Sequence, residues 1–263
     1  MQFNGRWYLS FSDQWPLRLT QYRVADNPDG PWRKLDNYIV DGSGFYAGKL
    51  AMKNNRLFVF GWIPTKAGNS DNGNIDWAGN LVAHELTAGE NGQLKSIIPQ
   101  ELQTVINENS GPVQTLHKIK SMKTSTHFGP LQSSIYPPLP KRGELTATLD
   151  VPSAGMIMSF GITNDRVSDS TLNVVFNKSK GKVYFFNSPL ASINRAHAES
   201  WVDVPLGDKI ELRVLIQDSI AVFYINNKAA FSTRMYSMPK RPWSISTSHN
   251  KNFHANLKIK EMI

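Results

Sequence analysis

The stretch LRVLIQDSIAVFYINNKAAFSTRMY, residues 212–236, indicates the fold class more clearly than any other part of the chain. Leu212, Val214 and Ile216 fall at every second position, which is the spacing of side chains on one face of a strand. The dipeptide Asn226-Asn227 separates two apolar runs and predicts the tight turn of a hairpin. The stretch therefore predicts consecutive antiparallel strands whose apolar side chains pack into a core.

Short strands separated by turns recur along the rest of the chain. They are spaced about ten residues apart with few helical patterns between them, which predicts an all-β fold. One segment, Pro99–Ile106, has apolar residues at the helical period with proline near its start, so a helix is expected there. The strands of the first part are expected at Arg6–Ser12, Leu19–Ala25, Phe45–Met52, Arg56–Trp62, Asn80–Leu86 and Leu94–Ile98.

The run NENSGP at residues 107–112 has the polar, turn-rich character of a domain boundary. Residues 1–110 are expected to form one β-rich unit. Residues 111–123 are polar and irregular, and the segment 111–142 is expected to form a linker. Residues 143–263 resume with closely spaced strands and are expected to form a β-sandwich.

The formal net charge of +8 is concentrated in the second part of the chain. Residues 1–110 hold 10 Lys and Arg against 11 Asp and Glu, whereas residues 111–263 hold 19 against 10. The basic residues alternate along predicted strands without a nucleic-acid motif, so we expect solvated strand faces and no nucleic-acid partner. No apolar run approaches the roughly 20 residues that span a bilayer, so no membrane partner is expected.

Few residues follow the pattern of a known catalytic or metal site. The absence of Cys excludes disulfides, thiolate nucleophiles and Cys-ligated metals. His84-Glu85 lacks the second histidine of a zinc protease, because Ala88 stands at that position. The loop Asn69–Asp76 is similar to a calcium loop but lacks the closing Glu, since Asn80 occupies its place, so a polar turn is expected. We expect neither a metal nor a cofactor.

The combination of carboxylates with tryptophans says more about function than these catalytic and metal motifs do, because it is typical of sugar-binding sites. Sugars present flat C–H faces and hydroxyl edges, so their binding sites combine aromatic platforms with polar acceptors. Asp13, Asp41, Asp76 and Glu85 lie in the tryptophan-rich first part of the chain. Acidic residues are also common in turns and caps, so a structural role is the alternative for each of them.

Several stretches, taken in order, resemble glycoside hydrolase family 32, the invertase, inulinase and levanase group, and especially its multi-domain Bacteroidetes-type members. Each motif is weak alone, but their order along the chain matches that of the family. The similar stretches are NGRWYLSFS (residues 4–12), DNPDGPW (26–32), GFYAGK (44–49), FVFGWIP (58–64), WAGNL to HEL (77–86) and the hairpin at 212–236.

The resemblance implies a five-bladed β-propeller followed by a concanavalin-like β-sandwich. It also implies retaining hydrolysis by a nucleophile Asp, a stabilising Asp and an acid/base Glu. Their motifs, Asn-Asp-Pro, Arg-Asp-Pro and Glu-Cys, do not occur in this sequence. Because a blade takes about 40 to 50 residues, residues 1–110 are expected to hold about two blades of the five. Since the motifs of the catalytic carboxylates are also missing, the chain is expected to start just after the acid/base Glu.

By the same resemblance, the family's sugar subsite maps onto Trp62 of the Gly-Trp strand and onto Phe45 and Tyr46 of the Phe-Tyr-Ala motif. Asp41 lies near the position directly before Phe45, where the family often has Asp, and Trp77 belongs to the Trp-x-Gly segment. We predict these five residues as substrate-binding, with packing in the propeller core as the alternative. No residue of this chain is predicted to be catalytic.

Three functions remain open on the sequence alone. The first is a fructan- or sucrose-acting glycosidase, or its C-terminal portion, inactive alone because the carboxylates are absent. The second is a non-catalytic carbohydrate-binding or accessory β-protein. The third is an assembly module that self-associates or pairs with a missing N-terminal half, because part of a propeller leaves open strand edges. Relatives act in the periplasm or outside the cell, but Met1–Ser10 shows no export signal, so the compartment stays open.

Overall fold

The computed structural model describes residues 1–14, 18–126, 129–195, 200–203, 209–248 and 255–263. Within these residues the chain forms four antiparallel β-sheets and one α-helix, which confirms the all-β prediction. The helix α1 spans Gln100–Glu108. The strands are β1 (Gln2–Phe3), β2 (Arg6–Ser12), β3 (Thr20–Ala25), β4 (Tyr46–Lys53), β5 (Arg56–Lys66), β6 (Ile75–Ala88), β7 (Leu94–Ile97), β8 (Gln114–Thr115), β9 (Lys120–Thr126), β10 (Gly129–Tyr136), β11 (Arg142–Asp150), β12 (Met156–Phe160), β13 (Leu172–Asn177), β14 (Lys182–Phe186), β15 (Ser200–Asp203), β16 (Lys209–Gln217), β17 (Ile220–Ile225), β18 (Ala229–Arg234), β19 (Trp243–Ser248) and β20 (Ala255–Glu261).

The first unit consists of a three-stranded sheet in the order β1-β2-β3 and a four-stranded sheet in the order β4-β5-β6-β7. Both are meanders, in which each strand pairs with the next one along the chain. Asn54 and Asn55 are left-handed, with φ of 50° and 58°, and form the tight turn between β4 and β5. The two sheets pack through a buried core that includes Tyr8, Tyr22, Val24, Val59 and Leu86.

The second unit is a sandwich of two sheets. The seven-stranded sheet has the order β15-β14-β13-β12-β19-β10-β9, and the six-stranded sheet has the order β18-β17-β16-β11-β20-β8. The predicted hairpin is confirmed, since Asn226 and Asn227 have φ of 52° and 48° and join β17 to β18. In the core, the ring of Trp243 stacks with its centroid 4.6 Å from that of Tyr136 and 5.5 Å from that of Phe160.

Residues 111–142 differ from the sequence-based expectation. The strands β8, β9 and β10 lie in this segment, where the sequence predicts a linker. β10 pairs with β19 over six residues and with β9 over seven, so both belong to the seven-stranded sheet. The linker prediction is therefore corrected, and most of this segment is part of the sandwich. β9 is an edge strand with largely exposed polar side chains, so its sequence lacks the apolar alternation of a buried strand.

Helix α1 connects the two units. Pro99 directly precedes it, at a helix start where backbone N–H groups have no partner inside the helix. The predicted helix is confirmed and extends two residues further, to Glu108. Ile106 is buried in a small core together with Ile98 and with Leu215 and Val222 of the sandwich. The helix therefore helps to hold the two units in one arrangement.

Arg56 joins the four-stranded sheet to the start of α1. Its guanidinium donates to Glu85 at 2.9 and 2.5 Å and to Glu101 at 2.7 and 3.0 Å. The hydrogen bond from Arg56 lowers the pKa of Glu85 below its usual value, and partial burial only partly opposes this. Glu85 is therefore more acidic in the folded protein than in the unfolded chain.

We expect the contribution of Glu85 to stability to depend on pH. Because its pKa is lowered on folding, the stabilisation is complete above the unfolded value of about 4.3 and is lost as the pH falls through the folded value. Urea unfolding should show a stability gap between wild type and Glu85→Gln that is constant near neutral pH and closes in acid. The exposed Glu90→Gln serves as the control and should show no such gap. A gap that stays constant into acid would contradict this expectation.

Candidate functional site

Three aromatic side chains form a cluster on one face of the four-stranded sheet. The ring centroids of Tyr46 and Trp62 are 5.4 Å apart, those of Trp62 and Trp77 are 5.7 Å apart, and those of Tyr46 and Trp77 are 6.0 Å apart. All three pairs meet edge to face, an arrangement that aromatic rings favour. Trp77 is 63% exposed, whereas Tyr46 is only 9% exposed. The cluster therefore has a rigid base and an open aromatic edge.

Strand register brings this cluster together. Tyr46 of β4 lies directly opposite Trp62 of β5, and Trp62 lies opposite Leu81 of β6. Directly opposed residues of antiparallel strands point to the same face, so their side chains are neighbours. Trp77 lies four residues before Leu81 along β6 and reaches the same face. The predicted residues Tyr46, Trp62 and Trp77 are thus close in space.

Arg18 completes the cluster, and the sequence gives no sign of it. Its guanidinium carbon lies 5.1 Å from the ring centroid of Tyr46 and 5.8 Å from that of Trp62, within the range of a cation–π contact. In the described part of the chain, its Nε and Nη2 are buried and have no hydrogen-bond partner. Buried donors are normally satisfied, so this guanidinium has unused capacity to bind an acceptor.

Asp41 lies at the centre of a buried network between the two units. Its Oδ1 accepts from the backbone N–H of Ser232 at 2.7 Å and from that of Gly42 at 2.5 Å. Its Oδ2 accepts from the hydroxyl of Ser232 at 2.5 Å and from Nε2 of His84 at 2.8 Å. The other ring nitrogen of His84 lies 2.9 Å from the hydroxyl of Tyr224, whose pKa is raised mainly by burial. Asp41 and His84 are both completely buried.

Two predicted sugar-binding residues thus lie inside the protein. Asp41 has no exposed surface, and its carboxylate is occupied by the network. Phe45 is also completely buried, with its ring centroid 5.1 Å from that of His84. A Cβ on Gly44 would lie 2.0 Å from the carbonyl oxygen of Ser232, so an Asp directly before Phe45 would clash with the backbone of β18 in this arrangement. Of the predicted set, Tyr46, Trp62 and Trp77 lie together in the cluster that is open at Trp77, and their role in sugar binding remains a prediction.

The other acidic candidates have structural partners. Asp13 accepts hydrogen bonds from the backbone of Leu19 and from the side chain of Gln21. Glu85 is bound by Arg56, and Asp76 accepts a hydrogen bond from Thr65 at 3.3 Å. These contacts match the structural alternative for acidic residues in turns and strands.

The loop that is similar to a calcium site docks on the sandwich. The carboxylate of Asp71 accepts hydrogen bonds from the backbone N–H of Tyr236 at 2.5 Å and of Ser237 at 3.3 Å, and from Thr171 at 3.3 Å. Among the described residues, no three His, Cys, Asp or Glu side chains are grouped so that they could hold a metal ion. None of the helices in the described ranges is long and apolar enough to cross a membrane.

Arg234 is a second buried connection between the units. Its guanidinium donates to the carbonyl oxygens of Pro64 at 2.6 Å and Ile63 at 3.1 Å, and to the side-chain oxygen of Asn80 at 2.6 Å. It also donates to the hydroxyl of Ser219 at 2.8 Å. Arg234 therefore ties β18 of the sandwich to β5 and β6, the strands that carry Trp62 and Trp77.

Comparison with known proteins gives structural matches only. No protein-family model and no curated protein sequence matches this chain. An exo-inulinase from Aspergillus awamori matches with a TM-score of 0.62 at 11% identity, over 93% of this chain and 50% of its own. A fructan 1-exohydrolase from Cichorium intybus matches with a TM-score of 0.58 at 17% identity, over 93% of this chain and 55% of its own. A glycoside hydrolase family 32 protein from Bifidobacterium adolescentis matches with a TM-score of 0.61 at 14% identity, over 100% of this chain and 40% of its own.

These matches establish the fold. The chain has the architecture of part of a family 32 glycoside hydrolase, with small propeller-type sheets followed by a β-sandwich, which confirms the expected fold class. It spans about half the length of the structures that it matches. The number of blades in residues 1–110 remains a prediction, as does the boundary near residue 110.

Proposed function

We propose that this chain forms one side of the sugar site of a β-fructosidase-type glycoside hydrolase, which acts on sucrose or fructans. The fold supports this proposal, since the similar structures include an exo-inulinase and a fructan exohydrolase. Two similar proteins were solved with sugars. They are a variant β-fructofuranosidase from Bombyx mori with sucrose and a variant fructan 1-exohydrolase from Cichorium intybus with 1-kestose.

The observation that carries the proposal is the cluster of Tyr46, Trp62 and Trp77, which is open to solvent at Trp77. Its centroids lie within 6.0 Å of one another, and the ring of Trp77 offers an open face. Apolar C–H faces of sugars pack on such rings, while their hydroxyl groups need polar partners nearby. Arg18 has two guanidinium nitrogens, Nε and Nη2, without an acceptor in the described part of the chain, and a sugar hydroxyl would supply one. The site therefore combines a stacking platform with hydrogen-bond donors.

Alone, the chain is proposed to bind sugar without cleaving it. A retaining glycosidase needs two carboxyl groups about 5 Å apart on either side of the scissile bond. Asp41 is buried in its network, and Glu85 is bound to Arg56, so neither is placed for that role. We expect no release of fructose from sucrose, inulin or levan by the purified chain. Detectable hydrolysis that survives further purification would contradict this part of the proposal.

Trp62→Ala is expected to weaken the binding of a fructan oligosaccharide about tenfold. An aromatic platform of this kind contributes about 1 to 1.5 kcal/mol, which corresponds to that change in dissociation constant. Isothermal titration calorimetry with 1-kestose on wild type and variant measures it. Trp32→Ala is the matched control, because Trp32 is half-buried like Trp62 but lies outside the cluster. Equal weakening by both variants would show that the effect is not local to the cluster.

A non-catalytic sugar-binding protein is the second candidate. It is favoured by the 63% exposure of Trp77, because the platform lies on an open surface and not in a closed cavity. The coding sequence upstream of residue 1 distinguishes the two candidates. Asn-Asp-Pro and Arg-Asp-Pro motifs encoded there would supply the carboxylates of a glycosidase, and their absence would favour the binding protein.

A further inference from the structure

One edge of the Arg18 guanidinium has no hydrogen-bond acceptor. Its Nε and Nη2 are buried, and no group in the described part of the chain accepts from them. These two nitrogens lie on the same side of the planar guanidinium, where their N–H bonds run parallel. That side is the fork that binds two oxygens of one carboxylate, phosphate or sulfate group at once. The free donors of Arg18 therefore match an oxyanion better than a single hydroxyl group.

The positive charge of Arg18 has no carboxylate partner either. Among the described residues, no Asp or Glu forms an ion pair with it. By contrast, the partly buried Arg56 is paired with Glu85 and Glu101. The aromatic rings near Arg18 offset only part of the cost of removing its charge from water. An anion bound at the cluster would supply the opposite charge.

A second cation lies on the same face of the four-stranded sheet. Lys49 of β4 is directly opposite Phe60 of β5, and Phe60 is two residues from Trp62 along that strand. Residues two apart on a strand point to the same face, so the exposed Lys49 side chain is on the face of the aromatic cluster. Two positive charges thus border the rings on which a sugar would pack.

The backbone is strained at two positions beside the cluster. Arg18 and Ala47 have φ of 55° and 56°, in the left-handed region that residues with a side chain rarely adopt. In the described part of the chain, the other residues with positive φ are Gly, Asn or Asp, which tolerate it best. Ala47 directly follows Tyr46, at an irregularity in the pairing of β4 with β5. Strain of this kind is concentrated at ligand sites, where it holds side chains in position.

We propose that the aromatic cluster binds a sugar that carries an oxyanion group, with Arg18 holding two oxygens of that group in its fork. The proposal rests on the proposed sugar site and specifies the ligand of that site. The apolar face of the sugar packs on Trp62 or Trp77, and Lys49 adds positive charge at the border. Because Arg18 as a whole is only half-buried, a small rotation of its side chain opens the fork to the ligand.

Calorimetry with four ligands that differ only at C6 tests the proposal. Fructose, fructose 6-phosphate, fructose 6-sulfate and fructuronate carry a hydroxyl, a phosphate, a sulfate and a carboxylate there. We expect at least one anionic ligand to bind the wild type about tenfold tighter than fructose, because charge-assisted hydrogen bonds are the stronger ones. The tightest ligand identifies the group, and added salt should reduce the preference. Equal affinity for all four ligands would overturn the proposal.

Arg18→Gln should lower the affinity for the anionic ligand to that for fructose, because glutamine has neither the charge nor the fork. Arg18→Lys keeps the charge alone and should keep only part of the preference. Arg23→Gln is the matched control, since Arg23 is also half-buried over aromatic rings but donates to Tyr22 and Gln21. It should keep the wild-type preference. Circular dichroism checks that each variant is folded.

Two results with these variants would contradict the role of Arg18. One is a folded Arg18→Gln that keeps the full preference for the anionic ligand. The other is an equal loss in Arg18→Gln and Arg23→Gln, which would show that anions respond only to the net charge of the protein.

Binding of 1-kestose separates failure of this proposal from failure of the proposed function. A wild type that binds 1-kestose, with weakening by Trp62→Ala, but does not prefer the anionic ligands would keep the proposed function and overturn the oxyanion site. A preference that depends on Arg18 without any binding of 1-kestose would support the oxyanion site and count against a neutral fructan as the ligand. Absence of binding for every sugar would contradict both.

Discussion

Asp41→Ala is expected to lower the free energy of unfolding by about 3 to 5 kcal/mol, because it removes the acceptor at the centre of a buried network. The backbone N–H and the hydroxyl of Ser232 would lose their acceptor, and so would Nε2 of His84. Each buried donor left without a partner costs about 1 to 3 kcal/mol. The loss should also weaken the contact between the two units, since Ser232 belongs to the sandwich.

Urea unfolding of the wild type and of Asp41→Ala, followed by circular dichroism, measures this effect. Asp29→Ala is the control, because Asp29 is an exposed acidic residue in a turn of the same unit, and it should change stability by less than about 0.5 kcal/mol. A change of similar size in both variants, or a loss below about 1 kcal/mol for Asp41→Ala, would show that the network is not a main stabilising contact.

Arg234→Met is expected to destabilise the protein by about 2 to 4 kcal/mol. Methionine keeps much of the side-chain length but removes the donors to the buried carbonyl oxygens of Pro64 and Ile63. It also removes the hydrogen bond to the side chain of Asn80. Burial already lowers the pKa of Arg234, which shows that its charge is held in a poorly solvated position. Because these acceptors lie on the strands of the aromatic cluster, we also expect weaker sugar binding.

The control for this variant is Arg241→Met, at an exposed arginine of the same unit. Its unfolding midpoint and its affinity for 1-kestose should match those of the wild type. Reduced stability of Arg234→Met with unchanged affinity would mean that the connection holds the units together without positioning the cluster. Wild-type stability in both variants would contradict the structural role of Arg234.

Local sequence signals predict the strands and turns of this protein well. The two asparagine pairs, at residues 54–55 and 226–227, form tight hairpin turns with positive φ in the structure. The helix at Pro99 is also present, because its proline and its apolar period act within one segment. The segment 111–142 was harder to predict, since β9 is a polar edge strand held by pairing with β10. No local pattern encodes that pairing.

The site shows the same division between local and distant effects. Tyr46, Trp62 and Trp77 belong to motifs that the sequence singles out, and strand register brings them together. The burial of Asp41 depends on Ser232, which is 191 residues away along the chain, so no local pattern reveals it. Arg18 is likewise placed by the fold and not by a motif. Sequence thus indicates which residues are unusual, whereas the structure decides which of them are buried and which lie together in an open cluster.

A crystal structure of this chain soaked with 1-kestose tests the central proposal most directly. We expect a sugar ring packed on Trp62 or Trp77, with a hydroxyl oxygen within hydrogen-bond distance of the Arg18 guanidinium. Sugar bound only on the sandwich, or an empty aromatic cluster at concentrations that saturate binding in solution, would contradict the account.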